Sequence, residues 1–436
     1  MRLPDPPLAR QHYGLGVVTT FCRFVLEART SLAAASAVLA VICPELAASG
    51  EIPHPTTGRA WLLRLGLYKL QQAPAPADDW VWLADHVVQI GTEKCLMIVG
   101  LRLRDLPPVG SCLELKHMQP LAILPVDHSD QGLVQQQLDG LATKTGAPRA
   151  IVSDEGGDLR GGIRRFQQSH PGTACLSDIA HFAARLLKRR LEKNARWQAF
   201  GHQAGQTKFE TGQTELGFLT PRRQRSKARF LNLGPLLSWA TKTLAVLDQL
   251  PAAVLQHCTV ERLEVKFGWL RDYRAELSEW SEWQALAEAA MARVRGDGYH
   301  AGAAEQVEAA LRPLVRSPTG AELCAELVAF VAQQSAVARA GERLPGSTEI
   351  LESSFGKWKA LEGEHAKGGF TQLVLGYAAL LGETTSGLIG RALEATPMKQ
   401  VTHWCREHLG VTLQAKRTAA YRAVQPQRAQ QNPEET

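Results

Sequence analysis

WVWLADHVVQI, residues 80–90, and RAIVSD, residues 149–154, are the two stretches that decide how this chain folds. Both are rich in β-branched and aromatic residues and both are short, so they read as buried strands. Each also carries an acid that a buried strand disfavours unless something compensates the charge. Asp85 stands mid-strand, with Trp82 and Val88 directed to one face and Leu83 and Val87 to the other. Asp154 ends its apolar run just before Gly156 and Gly157, at the strand edge where α/β folds place ligand groups. If the two strands are neighbours, two carboxylates meet, and their charge requires a proton or a cation between them. Hard oxygen donors with open coordination positions suit Mg²⁺ or Mn²⁺.

Working outward, KCLMIVGLRL (94–103) and LKHMQPLAILPV (115–126) complete three successive antiparallel strands, separated by Gly91 and by the turn Pro107-Pro108-Val109-Gly110. A helix follows near Gly132 to Lys144, then the second acid-bearing strand and a helix over Leu159 to Gln168. A short strand, TACLSD (173–178), leads into a long helix from Ile179. The order β-β-β-α-β-α-β-α describes an α/β fold with a mixed sheet covered by helices on both faces. Residues 80–185 form its first part. Residues 186–345 show no convincing strand and read as an all-helical insertion carrying Trp197, Trp239, Trp269, Trp280 and Trp283, mostly core residues. Residues 346–400 return to the sheet domain through the helix TEILESSFGKWKALEGEH, capped by Ser347 or Thr348. A C-terminal helix and basic tail occupy 401–436.

Before the sheet, residues 1–72 read as helical, and the alternating alanine and proline of QQAPAPADD make 73–79 a linker. A helix from Ser31 to Ile42, a stop at Pro44 and a second helix near Thr57 suggest a helix-turn-helix. Trp61, Leu62, Leu65 and Tyr68 share one face of the second helix. Arg59, Arg64 and Lys69 then lie elsewhere on its surface, where they would reach DNA phosphates or guanine edges.

Composition supports a folded, multidomain chain: 436 residues, 45% hydrophobic and 21% charged, which excludes a fibrous or disordered polymer. The formal charge of +6 is mild, but from His181 to Phe230 twelve Lys/Arg face three Glu. That block includes Arg222, Arg223, Arg225, Lys227 and Arg229 and points to a polyanion such as nucleic acid. The eight cysteines form no C-x-x-C pair, so neither a disulfide framework nor a zinc finger is encoded. The longest uncharged apolar stretches, 14 and 15 residues, fall short of a membrane span. Proline and an acid near the N-terminus argue against a signal peptide, and a cytoplasmic location is expected.

Two further spacings matter. Glu352 and Lys359 are seven apart, which places them on one helix face about 10 Å from each other; Glu349 is a rival acid, about 80° out of line with Lys359. Asp178 and His181, at i and i+3, face the same way at a helix start, where Asp178 can orient the imidazole or both can brace a loop.

With these residues in order, the chain resembles the DDE transposases of insertion sequences and DNA transposons, and of bacterial insertion sequences in particular. The resemblance covers residues 80 to about 365 together with the N-terminal helices. It implies a ribonuclease-H-like catalytic domain with Asp85 on the first strand, Asp154 after the fourth and Glu352 on a helix beyond a helical insertion. Asp178-Ile179-Ala180-His181 matches the C/D-x-x-H motif of the insertion-bearing branch, and Glu352 with Lys359 matches the E-x₆-K of several bacterial members. The Tyr and Arg that some members place before the Glu align here with Pro345 and Thr348. The resemblance further implies two Mg²⁺ (or Mn²⁺) ions held by Asp85, Asp154 and Glu352, with Lys359 on a phosphate. Double-stranded DNA, as terminal inverted repeats and target, would be the partner, bound by a homodimer or higher oligomer at the bacterial nucleoid. A catalytically inactive DNA-binding regulator and a nuclease that cuts without joining are the alternatives.

Overall fold

The structure, a computed structural model, describes residues 7, 11–72, 74–88, 93–154, 156–222, 230, 232–363, 369–411 and 413–424. It divides into two compact units, one of 1–107, 113–175 and 348–436, the other of 108–112 and 176–347.

The first unit begins with helices α1 (Leu15–Leu26), α2 (Leu32–Ile42), α3 (Pro44–Ala48) and α4 (Pro55–Gln71). Ser31 caps α2 by accepting from the Ala34 amide, and Pro44 opens α3, where its missing N–H costs nothing. Strands β1 (Trp80–Val88), β2 (Lys94–Arg102) and β3 (Gln119–Val126) follow, then α5 (Gln131–Thr145), β4 (Ala150–Ser153), α6 (Gly157–Ser169) and β5 (Ala174–Ser177). The five strands form one sheet in the order β3-β2-β1-β4-β5. β2 is antiparallel to both β1 and β3, and β1 is parallel to β4, so the sheet is mixed. The expected alternation of strands and helices is therefore the observed one.

Strand alternation sends Trp80, Trp82 and Ala84 to one face, where they join Leu96, Ile98 and Ile151 beneath Val134 and Leu138 of α5 and Leu159, Ile163 and Phe166 of α6. The last elements of the chain are α15 (Glu349–Glu362), α16 (Val374–Leu380), α17 (Ser386–Ala395), α18 (Met398–Leu409) and α19 (Leu413–Val424). Of these α15 packs on β1, while α16 and α18, together with α4, pack on β3.

Residues 1–72 are not a module with a core of their own. Val18, Phe21, Leu39, Trp61, Leu62 and Leu65 share one hydrophobic cluster with Ala379 of α16 and Ile389, Ala392 and Leu393 of α17. Nor does the alanine-proline stretch behave as a loose linker: the Ala77 amide donates to the Thr145 carbonyl at 2.8 Å, and the Trp80 indole to the Ala75 carbonyl at 3.0 Å.

The second unit holds α7 (Ile179–Leu191), α8 (Ala195–Thr211), α9 (Gly234–Gln249), α10 (Ala252–Leu255), α11 (Val260–Phe267), α12 (Arg274–Asp297), α13 (Ala303–Leu311) and α14 (Pro318–Ser335). Beyond the end of β5 its described residues carry only an isolated bridge between Tyr299 and Leu344. Trp197, Phe200, Trp269, Tyr273 and Trp280 interlock with ring centroids 4.9–6.4 Å apart, and none of the five tryptophans in this unit is exposed.

Candidate functional site

The parallel register of β1 and β4 pairs Leu83 with Val152 and Ala84 with Ser153. One residue further on come Asp85, still inside β1, and Asp154, the residue that follows β4. Asp85 is half-buried, and its Oδ1 accepts from the His86 amide at 2.7 Å. Asp154 is half-buried too, its Oδ1 accepting from the Gly156 amide at 3.2 Å in a local turn that aims the chain into α6. Alternation turns Asp85 to the sheet face opposite α5 and α6. There it acts on the buried Tyr377 of α16, whose phenol is raised above its ordinary value by burial and further by the Asp85 charge, against the Ser354 hydrogen bond. The Ser354 hydroxyl, on α15, lies 3.2 Å from the Tyr377 oxygen.

Glu352 and Glu349 occupy the first turn of α15, with Glu352 exposed and Glu349 half-buried. Thr348 is the N-cap, and its side chain makes no capping hydrogen bond. Lys359 is half-buried on the last turn of the same helix. Among the described residues no three His, Cys, Asp or Glu groups converge closely enough to hold a metal ion. The fold thus brings two of the three expected carboxylates together and leaves Glu352 exposed on a neighbouring helix. Asp85 and Asp154 fit a hard divalent cation by donor type and charge.

A polar cluster that sequence reading missed lies beside the pair. His86, the residue after Asp85, points to the opposite face, toward α6. Its Nδ1 is 3.8 Å from Asp158 Oδ2, and its Nε2 is 3.4 Å from the Ser129 hydroxyl. Lys94, at the start of β2, donates to the same Asp158 oxygen at 2.7 Å. Burial lowers the imidazole below its ordinary value; Asp158 and Asp154 pull it up, and Lys94 pushes it down. Burial alone would raise the Asp158 carboxyl, but the Lys94 hydrogen bond, the His86 charge and Ser129 outweigh it and hold the carboxyl at about 2. This network ties β1, β2, the loop before α5 and the start of α6 together at the edge that carries Asp85 and Asp154. The signal for it was a second polar residue, His86, following Asp85 in an apolar strand.

The proposed support pair lies in the second unit. Asp178 is buried and caps α7, Oδ1 accepting from the Ala180 amide at 2.5 Å and the His181 amide at 2.9 Å. Its other oxygen accepts from the Ser347 hydroxyl at 3.4 Å, and the Ile179 amide donates to the Gly346 carbonyl. Asp178 thus caps a helix and braces the segment that leads into α15, while His181 is half-buried on the first turn of α7.

The expected DNA-facing cations of α4 require correction. Arg64 and Lys69 are each only 8% exposed. The Arg64 guanidinium donates to the Thr396 carbonyl at 2.7 Å, to the Leu393 carbonyl and to Gln11. Lys69 Nζ donates to the Ala379 and Leu381 carbonyls, at 3.1 and 2.5 Å, and to the Thr384 hydroxyl at 3.0 Å. Both side chains face inward because α4 is covered all round, so neither can reach a groove. Arg59 is half-buried, with its Nε enclosed. Arg222 is exposed; Arg223, Arg225, Lys227 and Arg229 lie outside the described residues.

No protein-family model and no curated protein sequence matches this chain. Among solved structures, the chain is similar to the Drosophila P element transposase strand transfer complex at 11% identity and a TM-score of 0.42, over 88% of this chain and 94% of that one. That similarity is too distant to assign a fold or an activity. No helix among the described residues is long and apolar enough to cross a membrane.

Proposed function

We propose that this chain is a DDE-type DNA transposase, with a ribonuclease-H-like sheet that cleaves the ends of a mobile element and joins the freed 3′-OH to target DNA. The observation that carries the reading is the parallel β1–β4 register, whose last pair, Ala84 with Ser153, immediately precedes Asp85 and Asp154. Two carboxylates there hold a local negative charge that only a proton or a cation relieves. Asp85, Asp154 and, after a side-chain movement, Glu352 would hold two Mg²⁺ or Mn²⁺ ions. Such ions, when bound, supply the positive charge that lets water and then a 3′-OH attack phosphorus. The protein's own work is positioning: the His86–Asp158–Lys94 network fixes the strand ends, and Lys359 contributes a phosphate contact. Terminal inverted repeats and target DNA would be bound by a dimer or higher oligomer.

Metal-dependent cleavage and joining of a labelled duplex carrying the gene's flanking DNA tests this. Wild type should cut and join, and Asp85→Asn, Asp154→Asn and Glu352→Gln should each lose both activities, while Glu349→Gln retains them. Loss in Glu349→Gln with activity kept in Glu352→Gln would move the third ligand one turn. The exposure of Glu352 favours one second reading, a DNA-binding regulator without catalysis, and binding without cleavage under either metal would establish it. Cleavage without a joined product would leave a nuclease.

A further inference from the structure

We propose that α19 is a duplex-DNA-binding helix, held between the two phosphate rows of a groove by Lys416, Arg417 and Arg422. The inference rests on the transposase reading for where the DNA lies, but the surface is read from the helix itself. α19, LQAKRTAAYRAV, contains three cations and no acid. Its side chains from Ala415 to Ala423 are exposed, apart from the half-buried Thr418. Among the described residues none of the three cations pairs with a carboxylate. Alanine at 415, 419, 420 and 423 favours the helix without help from packing.

The arrangement of the charges selects the ligand. Lys416 and Arg417 stand about 100° apart round the helix, and Arg422 lies about 120° from the first and about 140° from the second. An anionic membrane selects a helix with Leu, Phe or Trp along one face and cations along the other. In α19 the cations point to all sides, and most residues between them are alanines. A groove of duplex DNA sets phosphates on both flanks of a helix, and so meets cations that point apart.

Position adds to charge. The end of α18 and the residues after it, 408–411, line one cleft with Val126 and Asp127 at the end of β3. β1 and β3 run the same way, each antiparallel to β2, and the register aligns Asp85 with Met97 and Met97 with Ile123. Asp85 is therefore about 10 Å across the sheet from β3, and the cleft lies about 10 Å further along that strand. α19 thus starts beside the end of the sheet toward which Asp85 lies, close enough for one duplex to reach both. Glu93 and Asp127 line the cleft and repel phosphate, so the contact begins beyond it, at Lys416.

The test measures binding of the full-length chain to a labelled duplex without divalent cations, across a salt series. Each phosphate contact contributes about 0.9 to the slope of log affinity against log salt, so Lys416→Gln/Arg417→Gln/Arg422→Gln should lower the slope by about 2 to 3 and weaken binding to all sequences alike. Arg417→Lys/Arg422→Lys should keep most of the slope, and Arg262→Gln, at a surface residue ion-paired with Glu215 in the second unit, should leave it unchanged. Circular dichroism and melting curves should match wild type in every variant. A wild-type slope in the triple variant overturns the inference and leaves the transposase reading standing. That slope together with lost binding to phosphatidylserine vesicles would assign α19 to a membrane surface instead. A wild type without salt-dependent duplex binding overturns both readings.

Discussion

α4 and α6 carry three cationic side chains each and use them in opposite ways. In α4, Arg64 and Lys69 turn inward onto carbonyls at the ends of α17 and α16. In α6, Arg160, Arg164 and Arg165 stay exposed while the apolar stripe packs down. The difference lies in the number of layers around each helix. α4 is packed by α1, α2, α16, α17, α18 and β3, so its cations must find partners inside. The last carbonyls of a helix have no intrahelical donor and sit at the negative end of its dipole, which makes a buried ammonium or guanidinium a good cap for them. α6 buries one stripe against the sheet and α5 and leaves Arg160, Arg164 and Arg165 exposed. A basic helix in a sequence is therefore evidence of a surface only when nothing packs over it.

The largest expected effect that would break this comparison is on stability. Lys69→Ala and Arg64→Ala each strip donors from several buried acceptors and should cost about 3 kcal/mol or more, read as a fall in urea midpoint. Arg160→Gln and Arg164→Gln should change stability by no more than about 0.5 kcal/mol. Near-wild-type stability of Lys69→Ala would show that α4 is less enclosed than described.

Close approach is the next. A Cβ on Gly66 of α4 would overlap the Leu375 backbone carbonyl of α16, which cannot swing aside, whereas one on Gly161 of α6 would meet the end of the Gln131 side chain, which can. Gly66→Ala should therefore cost about 2 kcal/mol through overpacking, and Gly161→Ala less. Equal melting temperatures for the two variants would contradict this.

The smallest effect concerns the acid that α6 turns inward. The Asp158 carboxyl is held at about 2, below the ordinary 3.8. A carboxyl depressed on folding contributes stability that is present above its unfolded value and is lost as pH falls through the folded one. Wild type should exceed Asp158→Asn by about 1–2 kcal/mol at neutral pH, and the gap should close between about pH 4 and pH 2. A gap independent of pH would mean that Asp158 acts through packing alone.

Much of the sheet was legible because strand signals are local. The apolar runs at 80–90, 94–103, 115–126 and 149–154 each hold enough β-branched or aromatic side chains to declare themselves. An acid inside such a run stands out for the same reason, which is how Asp85 and Asp154 could be chosen before their strands were known to be neighbours. Glu352 was chosen by helical spacing from Lys359, and spacing along one helix says nothing about which side faces the acids. The misreading of Arg64 and Lys69 had the same origin. Periodicity marks the face of α4 that packs first, and α16 and α17, more than 300 residues further along the chain, cover the rest. His86, Lys94 and Asp158 went unseen because their meeting needs a strand pairing and a crossover that no window of sequence contains.

By itself, then, the sequence determined the order of elements, the two acids in buried strands and the helical character of the tryptophan-rich segment. These follow from short-range preference and hydrophobic pattern, which act within a few residues. Only the tertiary structure decided which cations are buried, which helix offers its arginines outward, and that the strand holding Asp85 runs parallel and next to the one that Asp154 follows. Those outcomes depend on which surfaces meet, and burying an unpaired charge costs too much for a cation to keep its surface role once a second layer closes over it.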